Sequence, residues 1–280
     1  MIAYRAMLDV PRELVRHVAW LLRSRRHTVG TRRGTRKLTC FYQALLVLVW
    51  FRKGEDKSTL GTGFGVSRAT AYRYVAEAVE VLAAQAPNLC DALTRVAADG
   101  WSHVILDGKV FDTDRLTETT TSVKGKQIDA WYSGKHRHFG GNIQAVMRPD
   151  GLPVWTGEVM PGHLHDITCA QNLDITGALY WAASQLDLPT LADSGYTGTG
   201  QGIHTPVRQP TDGRTLAPDN RAYNACLRAL RAQGERGFAI LTGRWRTLKH
   251  TTASPRSLGK ITRAALYLTH FEYRYLPNSC

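Results

Sequence analysis

The feature that most limits the possible folds of this chain is a series of short extended segments after residue 100. Five segments have apolar, strand-like sequence, with the tight turn Pro149-Asp150-Gly151 between the second and the third: 103–111, 141–148, 153–159, 189–193 and 203–207. A helical pattern covers 164–186, and a last long helix is predicted from 218 to beyond 235. Three strands, a helix, a further strand and late helices predict an α/β domain whose mixed sheet is covered on both faces.

The sequence before residue 88 is typical of a small helical domain. Helical patterns occur at 12–22, 40–52 and 58–64, and a long helix is predicted from Arg68 to about Ala84. Ser67, at the end of the tight Gly65-Val66-Ser67 turn, is a good N-cap for that helix. Because Pro87 and Asn88 close this region, we predict a helical domain over 1–88 and an α/β domain over 89–280.

The two helices around the Gly65 turn predict a helix-turn-helix that reads DNA. The start of its second helix exposes the residues that would meet bases and phosphates in the major groove: Arg68, Thr70, Tyr72 and Arg73. An amphipathic pair of helices with no DNA role is the alternative interpretation.

Positive charge is concentrated in the same region. The formal net charge is +13, and residues 1–75 contain 15 Lys and Arg against 4 Asp and Glu, which leaves 21 against 19 in the rest of the chain. The stretch 23–37 carries seven of these basic residues and is predicted to be a loop or arm, either solvated or in contact with phosphate. Clustered Lys and Arg favour a polyanionic partner, and double-stranded DNA is the natural one.

Membrane and disulfide-linked classes do not fit this sequence. The longest apolar run, 44–51, is far shorter than the ~20 residues of a membrane-spanning helix, and no signal-peptide pattern is visible. We therefore expect a cytoplasmic protein, associated with the nucleoid when bound to DNA. The five cysteines (Cys40, Cys90, Cys169, Cys226 and Cys280) are scattered without a CxxC pair, and we expect ordinary reduced thiols.

Two aspartates stand out within apolar strands. Asp107 lies in Ile105-Leu106-Asp107-Gly108, and Asp193 ends Leu191-Ala192-Asp193. A carboxylate in an apolar strand is costly unless it emerges at an edge or holds a cation, and open α/β sheets form their sites at strand ends. Each residue by itself could be a turn or cap aspartate. With Glu235 on a late helix, however, they predict a site that clamps two divalent cations about 4 Å apart for phosphodiester cleavage and transfer.

Four short patterns place these acids in a wider context: Leu106-Asp107-Gly108, Pro161-Gly162-x-x-His165-Asp166, Ala192-Asp193-x-Gly195-Tyr196 and Gly234-Glu235-Arg236. Together with the Phe64-Gly65-Val66-Ser67 turn and the segment Tyr132-Ser133-Gly134-Lys135-His136 before Asn142-x-Gln144, they resemble the DDE transposases of small bacterial insertion sequences, the group akin to the Harbinger elements. The resemblance covers nearly the whole chain.

The resemblance implies a ribonuclease-H-like catalytic domain behind the small all-α helix-turn-helix domain. It implies Asp107 on the first strand, Asp193 after the fourth and Glu235 on a late helix as the catalytic and metal-binding acids. The cofactor would be two Mg²⁺ ions, with Mn²⁺ expected to substitute. Lys135 and His136 are candidate DNA contacts within the same pattern.

Asp166 is an auxiliary candidate for metal contact because it lies beside His163 and His165. In the order of that fold, however, it starts the helix after the third strand, where an aspartate commonly caps free N–H groups. The two histidines are expected to position backbone or DNA, since Mg²⁺ and Mn²⁺ sites depend mainly on oxygen ligands.

The helix of Glu235 is predicted to face DNA. At 100° per residue, Arg228, Arg231 and Glu235 lie within about 60° of one another and form a basic stripe, although a solvated, salt-bridged helix would look similar. Many relatives follow the pattern Tyr-x2-Arg-x3-Glu-x6-Lys, whereas this sequence has Arg228 and Thr242 at its outer positions. If the helix continues, Arg246 lies about 20° from Glu235. We therefore predict that Arg246, helped by Arg228, supplies the missing phosphate contact.

These features predict a DNA transposase. The enzyme would bind terminal inverted repeats, cut to expose 3′-OH ends and join them to target DNA by metal-dependent transesterification, as a homodimer or larger assembly on DNA. Two alternatives stay open: a transposase-derived DNA-binding protein that no longer cuts, and a metal-dependent nuclease that does not join.

Overall fold

The computed structural model describes residues 7–122, 124–212 and 214–276. The chain forms two compact units. The helical unit comprises Met1–Ala86, Leu241–Lys249 and Lys260–Cys280, and the α/β unit comprises Pro87–Ile240 and His250–Gly259. Four cysteines are free thiols, while Cys280 lies outside the described residues.

The secondary structure consists of ten α-helices, ten strands and three short 3-10 helices in the described ranges. The helices are α1 (Arg12–Thr28), α2 (Cys40–Lys53), α3 (Lys57–Gly63), α4 (Arg68–Ala83), α5 (Leu89–Ala98), α6 (Asp166–Asn172), α7 (Ile175–Gln185), α8 (Pro218–Arg231), α9 (Gly234–Arg244) and α10 (Leu258–Glu272). The strands are β1 (Val104–Thr113), β2 (Thr119–Thr121), β3 (Gln127–Asp129), β4 (Tyr132–Ser133), β5 (His138–Met147), β6 (Pro153–Thr156), β7 (Met160–Pro161), β8 (Thr190–Leu191), β9 (Ile203–His204) and β10 (His250–Thr251). None of the helices in these ranges is long and apolar enough to cross a membrane.

The helix-turn-helix is formed by α3, the turn at Gly65 and α4. Gly65 has a φ of 65°, a left-handed conformation that glycine adopts at little cost. Ser67 caps α4 as predicted, because its Oγ accepts a hydrogen bond from the Thr70 N–H at 3.3 Å. The apolar stripe of α4 is buried: Ala71, Val75, Ala78, Val79 and Leu82. The predicted helical domain with its helix-turn-helix is therefore confirmed.

Residues near the C-terminus pack into the same helical unit. Trp245 is fully buried, meets the ring of Phe51 edge-on at 6.1 Å, and donates from Nε1 to Oγ1 of Thr269 at 2.8 Å. His17 of α1 and Tyr267 of α10 form a hydrogen bond of 2.7 Å. The predicted domain limits of 1–88 and 89–280 remain a prediction, but they assign to the α/β domain residues that pack against helices of the first 86.

A mixed sheet forms the centre of the α/β unit. The neighbouring strands β6, β5, β1, β8 and β9 follow the order that a ribonuclease-H-like sheet requires. β5 pairs antiparallel with both β1 and β6, whereas β1, β8 and β9 run parallel. Neighbouring parallel strands cannot be joined by a hairpin. The chain therefore passes from β6 through α6 and α7 before it returns as β8 beside β1. The predicted fold class is confirmed.

Helices approach this sheet from both faces. On the face of Ile105 and Phe111, α9 packs closely: a methyl group at Gly234 would lie 2.8 Å from Cγ2 of Ile105, and the Phe238 ring meets Phe111 at 5.8 Å. On the other face, the first residue of α6 lies directly over Gly108. Successive residues of a strand point to opposite faces, so Asp107 shares the face that α9 covers.

Three predicted limits are wrong. The stretch 23–37 is not all loop, because α1 continues to Thr28. The predicted helix 164–186 is split into α6 and α7, because Asp174 has a φ of 53°, which an α-helix cannot accommodate. The predicted helix from 218 to beyond 235 is split into α8 and α9 by a turn at 232–233. The turn redirects the chain so that Gly234 lies against Ile105.

We expect Trp245→Ala to lower the free energy of unfolding of the helical unit by about 3–5 kcal/mol, because it removes a fully buried aromatic side chain and leaves a cavity. The control is Trp20→Ala, which removes the same side chain from a position that is 57% exposed and should cost less than about 1 kcal/mol. Denaturant unfolding followed by circular dichroism at the helical band measures both. Equal losses would show that residues 241–249 do not stabilise the helical unit.

Candidate active site

Asp107 lies near the middle of β1 and is partly buried. It pairs across the sheet with Ala145 of β5, and its Oδ1 accepts a hydrogen bond from the Gly108 N–H at 3.0 Å. Burial, followed by the charge of Asp193, raises the pKa of Asp107 from 3.8 to about 6, and Asp166 adds to this effect. The Gly108 N–H and Arg231 oppose it. Burial and neighbouring negative charge therefore both disfavour the ionised form of Asp107.

Asp193 follows β8 closely enough to stand beside the middle of β1. The two strands pair in parallel at Val104↔Thr190 and Ile105↔Leu191, after which both chains continue toward the two aspartates. Oδ1 of Asp193 accepts a hydrogen bond from the Gly195 N–H at 2.8 Å and caps a single 3-10 turn, Ser194–Tyr196. The turn fixes the carboxylate close to Asp107. The structure thus brings together the two strand-borne acids that the sequence singled out.

Asp166 does not act as the helix cap that the sequence suggested. The N-cap of α6 is His165, and Asp166 is the first residue of the helix. Its Oδ1 accepts hydrogen bonds from Nδ2 of Asn142 at 2.9 Å and from Nε2 of Gln144 at 3.4 Å. The carboxylate turns away from the helix backbone because these buried amides on β5 offer it donors. Lys135 Nζ lies 3.8 Å from Oδ2.

Glu235 is exposed on α9. The side of α9 that meets the sheet bears Gly234 and Gly237, whose missing methyl groups would collide with Ile105 and Met147. Glu235 follows Gly234, so its side chain is rotated by 100° about the helix axis. It therefore lies on the flank of α9 and not on the side that meets the sheet. The helix itself covers the face from which Asp107 emerges. The carboxylates that raise the pKa of Asp107 are Asp193 and Asp166, and Glu235 is not among those that do so.

As oxygen donors, these acids are suitable ligands for a hard divalent cation, but their side chains are not arranged around one. The charge of Asp193 raises the pKa of Asp107, and carboxylates this close together are suited to Mg²⁺ or Mn²⁺, which take oxygen ligands. Within the described residues, however, no three His, Cys, Asp or Glu side chains are arranged to hold a metal ion. A third ligand therefore requires a side chain near the pair to change its rotamer.

A cleft of about 670 Å³ opens on the Gly108 face of β1, and Asp166 is the one of the four acids among its lining residues. One wall is the insertion between β1 and β5, including Gln127–Asp129 and the segment Tyr132–His136, and the floor includes Gly108, Asp166 and Gly195. Lys135 and His136, the predicted DNA contacts, lie exposed on this wall.

The two histidines of the Pro161-Gly162 loop also line the cleft. Nδ1 of His163 hydrogen-bonds the carbonyl oxygen of Ala130 at 2.7 Å. The His163 ring therefore positions the backbone at Ala130, which is one of the two roles predicted for the histidines. His165 is exposed at the start of α6.

The predicted basic stripe around Glu235 is only partly realised. Arg231 lies close enough to Asp107 to lower its pKa, whereas Arg228 is exposed on α8. The turn at 232–233 breaks the helical phase that related both arginines to Glu235. The projection to Arg246 is wrong, because α9 ends at Arg244 and Arg246 opens a 3-10 turn in the helical unit. A role for Arg246 in DNA binding stays a prediction without that geometric basis.

The predicted DNA-reading residues form one exposed surface at the start of α4. Arg68, Tyr72 and Arg73 are exposed, and Thr70 is half-buried. The Arg68 guanidinium lies 5.5 Å from the Tyr72 ring centroid, and Arg73 donates to Oγ1 of Thr70 at 3.2 Å. The basic side chains are thus pre-oriented at the helix start.

Sequence reasoning assigned no role to three buried polar residues under the acids. Asn142 and Gln144 alternate along β5 and so share one face, and Tyr196 donates from its hydroxyl to Oε1 of Gln144 at 2.5 Å. Two polar residues, two positions apart in the apolar part of a strand, were the available signal.

Comparison with known protein families gives two matches. Residues 106–270, more than half of the chain, match the family described as DDE superfamily endonuclease, and residues 36–88 match the helix-turn-helix of DDE superfamily endonuclease. The first match contains the four acids Asp107, Asp166, Asp193 and Glu235, and the second contains α3 and α4. No curated protein and no solved structure gives a significant match.

The raised pKa of Asp107 predicts that this residue destabilises the fold at neutral pH. Well below 3.8, the ordinary pKa of an aspartate, the side chain is protonated in both the folded and the unfolded chain, so its charge costs nothing. Between 4 and 6 only the unfolded chain ionises, and stability falls as pH rises; above 6 the full cost remains. We expect Asp107→Asn in EDTA at pH 7.5 to gain about 1–3 kcal/mol, allowing for solvent screening, and the gain to vanish at about pH 3.

Thermal or denaturant unfolding across this pH range measures the effect. Asp99→Asn, an exposed aspartate of the same unit, is the control and should show no such gain. A constant difference between pH 4 and 8 would mean that the charge of Asp107 is not the cause.

Proposed function

We propose that this chain, which belongs to the DDE superfamily of endonucleases and transposases with an N-terminal helix-turn-helix, binds the terminal inverted repeats of its element, cuts to expose 3′-OH ends and joins them to target DNA. Family membership establishes a transposase-like, divalent-metal-dependent nuclease with a DNA-binding domain. The recognition of inverted repeats and the joining step are the proposed part. The observation that carries the proposal is the Asp107–Asp193 pair within the matched region, in which Asp107 lies on β1 and Asp193 follows the parallel strand β8.

Asp107, Asp193 and Glu235 are the proposed metal-holding acids. Asp107 and Asp193 are held by the sheet and by the Ser194–Tyr196 turn, and Glu235 lies on the helix that covers the face of Asp107. When bound, Mg²⁺ or Mn²⁺ supplies activation of the attacking oxygen and neutralisation of the leaving one. The same three acids would serve both steps, with water as the nucleophile in cleavage and the 3′-OH in joining.

The cleft, which Asp166 and Gly195 line, is the proposed path by which the DNA strand approaches the acids. Lys135 and His136 on its wall and Arg231 beside Asp107 offer positive or hydrogen-bonding groups to phosphates. Arg228 on α8 is proposed as an outer phosphate contact, since it is exposed and lies one helical turn before Arg231.

Repeat recognition is assigned to α4. Its first turns expose Arg68, Tyr72 and Arg73, the positions by which a recognition helix meets base edges and phosphates. Because joining two transposon ends requires both in one complex, we propose a homodimer or larger assembly on DNA.

Substituting the three acids tests the chemistry. Asp107→Asn, Asp193→Asn and Glu235→Gln each remove one charged ligand while keeping the shape, so we expect at least a hundred-fold loss of cleavage and joining with repeat binding nearly unchanged. Labelled repeat duplexes and a target plasmid report binding, cutting and joined product separately. Asp99→Asn is the control for loss of one acid. Wild-type activity of Glu235→Gln would remove Glu235 from the set.

The same assay on the unmodified enzyme separates the alternatives. Cleavage without joined product would identify a nuclease. Binding without cleavage would identify a DNA-binding protein derived from such an element.

Repeat binding should depend on Arg68 and Arg73. We expect the double alanine variant to bind repeat DNA more weakly and to flatten the salt dependence by up to ~0.9 log units for each phosphate that the enzyme no longer neutralises. Arg12→Ala with Arg16→Ala, which removes two exposed charges from α1, is the matched control. If the control changes affinity and slope as much, DNA attraction is a general property of the basic helical unit rather than of α4.

A further inference from the structure

Lys57, the first residue of α3, folds its side chain against two aromatic rings. Its Nζ lies 5.2 Å from the ring centroid of Trp50 and 4.8 Å from that of Tyr72, and the residue is 9% exposed. Burial lowers the pKa of Lys57 from its ordinary 10.5, although the charge of Asp56 acts in the opposite direction. The ammonium group has therefore lost much of its water, and the ring faces replace it only in part.

Within the part of the chain that the structure describes, Lys57 forms no ion pair and no hydrogen bond through its ammonium group. The neighbouring acid, Asp56, is engaged by α3 itself, because its Oδ2 accepts hydrogen bonds from the N–H groups of Ser58 and Thr59 at 2.7 and 3.0 Å. Nζ of Lys57 is not one of the enclosed nitrogen atoms without a partner in these ranges, so it reaches the surface. Its three donors are thus open to an anion from outside the protein.

A second cation lies at the Tyr72 ring. The guanidinium carbon of Arg68 is 5.5 Å from the ring centroid, and Arg68 precedes Tyr72 on α4 by about one helical turn. Tyr72 is 40% exposed, and Arg68 is exposed and pairs with no acid among the described residues. Positive charge from both helices of the helix-turn-helix therefore meets at one partly exposed ring.

A phosphate is the anion that fits this arrangement. Ammonium and guanidinium groups both donate charge-assisted hydrogen bonds to phosphate oxygens. Lys57 lies on the first helix of the helix-turn-helix, and in such motifs the first helix crosses the DNA backbone while the second enters the major groove. A phosphate of the duplex can therefore supply the negative charge that Lys57 lacks in the free protein.

We infer that Lys57 is a phosphate-binding residue of the helix-turn-helix: its ammonium group binds a phosphate of the DNA backbone beside the groove that α4 enters, and the Tyr72 ring positions it near Arg68. The inference rests on the proposed function, because it requires this helix-turn-helix to bind DNA. It extends the proposed DNA contacts from α4 to α3, and it gives a role to a lysine that sequence reasoning left without one. The contact itself carries no sequence information, since it is made to the backbone.

Lys57→Met tests the contact, because it keeps an unbranched side chain against the two rings and removes the charge. We expect the full chain to bind a labelled repeat duplex about five-fold or more weakly, and the slope of log affinity against log salt concentration to flatten by about 0.9. Fluorescence anisotropy at several salt concentrations measures both. Lys249→Met is the matched control: Lys249 is an exposed lysine of the helical unit outside the helix-turn-helix, and its loss should change affinity by less than about two-fold. An equal loss in the control would overturn the inference.

Conservative variants separate a phosphate contact from packing. Lys57→Arg restores the charge, so we expect it to recover the salt slope that Lys57→Met loses; a slope that stays flat would show that the charge is not the cause. Tyr72→Leu removes the ring and should weaken binding about three-fold or more, whereas Tyr72→Phe keeps the ring and should recover most of that loss. If Tyr72→Phe binds as weakly as Tyr72→Leu does, the ring is not what positions Lys57.

A measurement on the unmodified chain keeps the inference testable if Lys57→Met does not fold. Titration of the Lys57 side chain by NMR, with ¹³C-labelled lysine, should give a higher pKa with the repeat duplex bound than without it, because a phosphate favours the charged form. An unchanged pKa of Lys57 would overturn the inference.

The unmodified chain also separates failure of the inference from failure of the proposed function. If it binds neither the repeat duplex nor an unrelated duplex, the proposed function loses its DNA reader. If it binds the repeat duplex and Lys57→Met retains both the affinity and the salt slope, DNA binding stands and the role of Lys57 is wrong.

Discussion

The α/β unit holds two carboxylates, those of Asp107 and Asp193, close together although their charges repel. β1 and β8 pair in parallel only at Val104↔Thr190 and Ile105↔Leu191, and this short contact brings Asp193 beside Asp107. The resulting repulsion, added to burial, raises the pKa of Asp107 to about 6. Fully buried Ile105 and its neighbours in the sheet provide the stability that offsets this cost. Functional sites commonly retain such locally unfavourable arrangements, because the ligand that relieves them is the one that the site must bind.

Glycines, which have no side chain, shape the site as much as the acids do. At Gly108 and Gly195 the space above the backbone is filled by carboxylates, and at Gly234 and Gly237 it is filled by Ile105 and Met147. The first pair lets three acids share one region, and the second brings α9 down onto the sheet. Any larger residue would have to displace either a charged group held by buried hydrogen bonds or a side chain of the core. A short Asp-Gly or Asp-x-Gly sequence therefore carries more structural information than the aspartate alone.

What the sequence could predict was local. The cap at Ser67, the buried stripe of α4 and the strands around Asp107 and Asn142 depend on spacing and side-chain type within a few residues, and the structure confirms them. The errors concern elements whose limits are set by distant contacts. The break at 232–233 accompanies the contact of Gly234 with Ile105, more than one hundred residues earlier. Asp166 was interpreted as a cap because its own helix offers free N–H groups, but the amides of β5 win the competition.

The acidic site lies in a chain whose net charge is positive, and the approach of DNA to the site involves both. The chain as a whole carries +13, which attracts DNA, yet the point where the strand must reach the acids presents Asp107, Asp193 and Asp166 against only Arg231 and Lys135. A phosphodiester would be repelled there unless positive charge is added between it and the carboxylates. A bound divalent cation adds that charge, so cation binding and close approach of the strand should favour each other. Metal dependence therefore agrees with how this chain distributes its own charges.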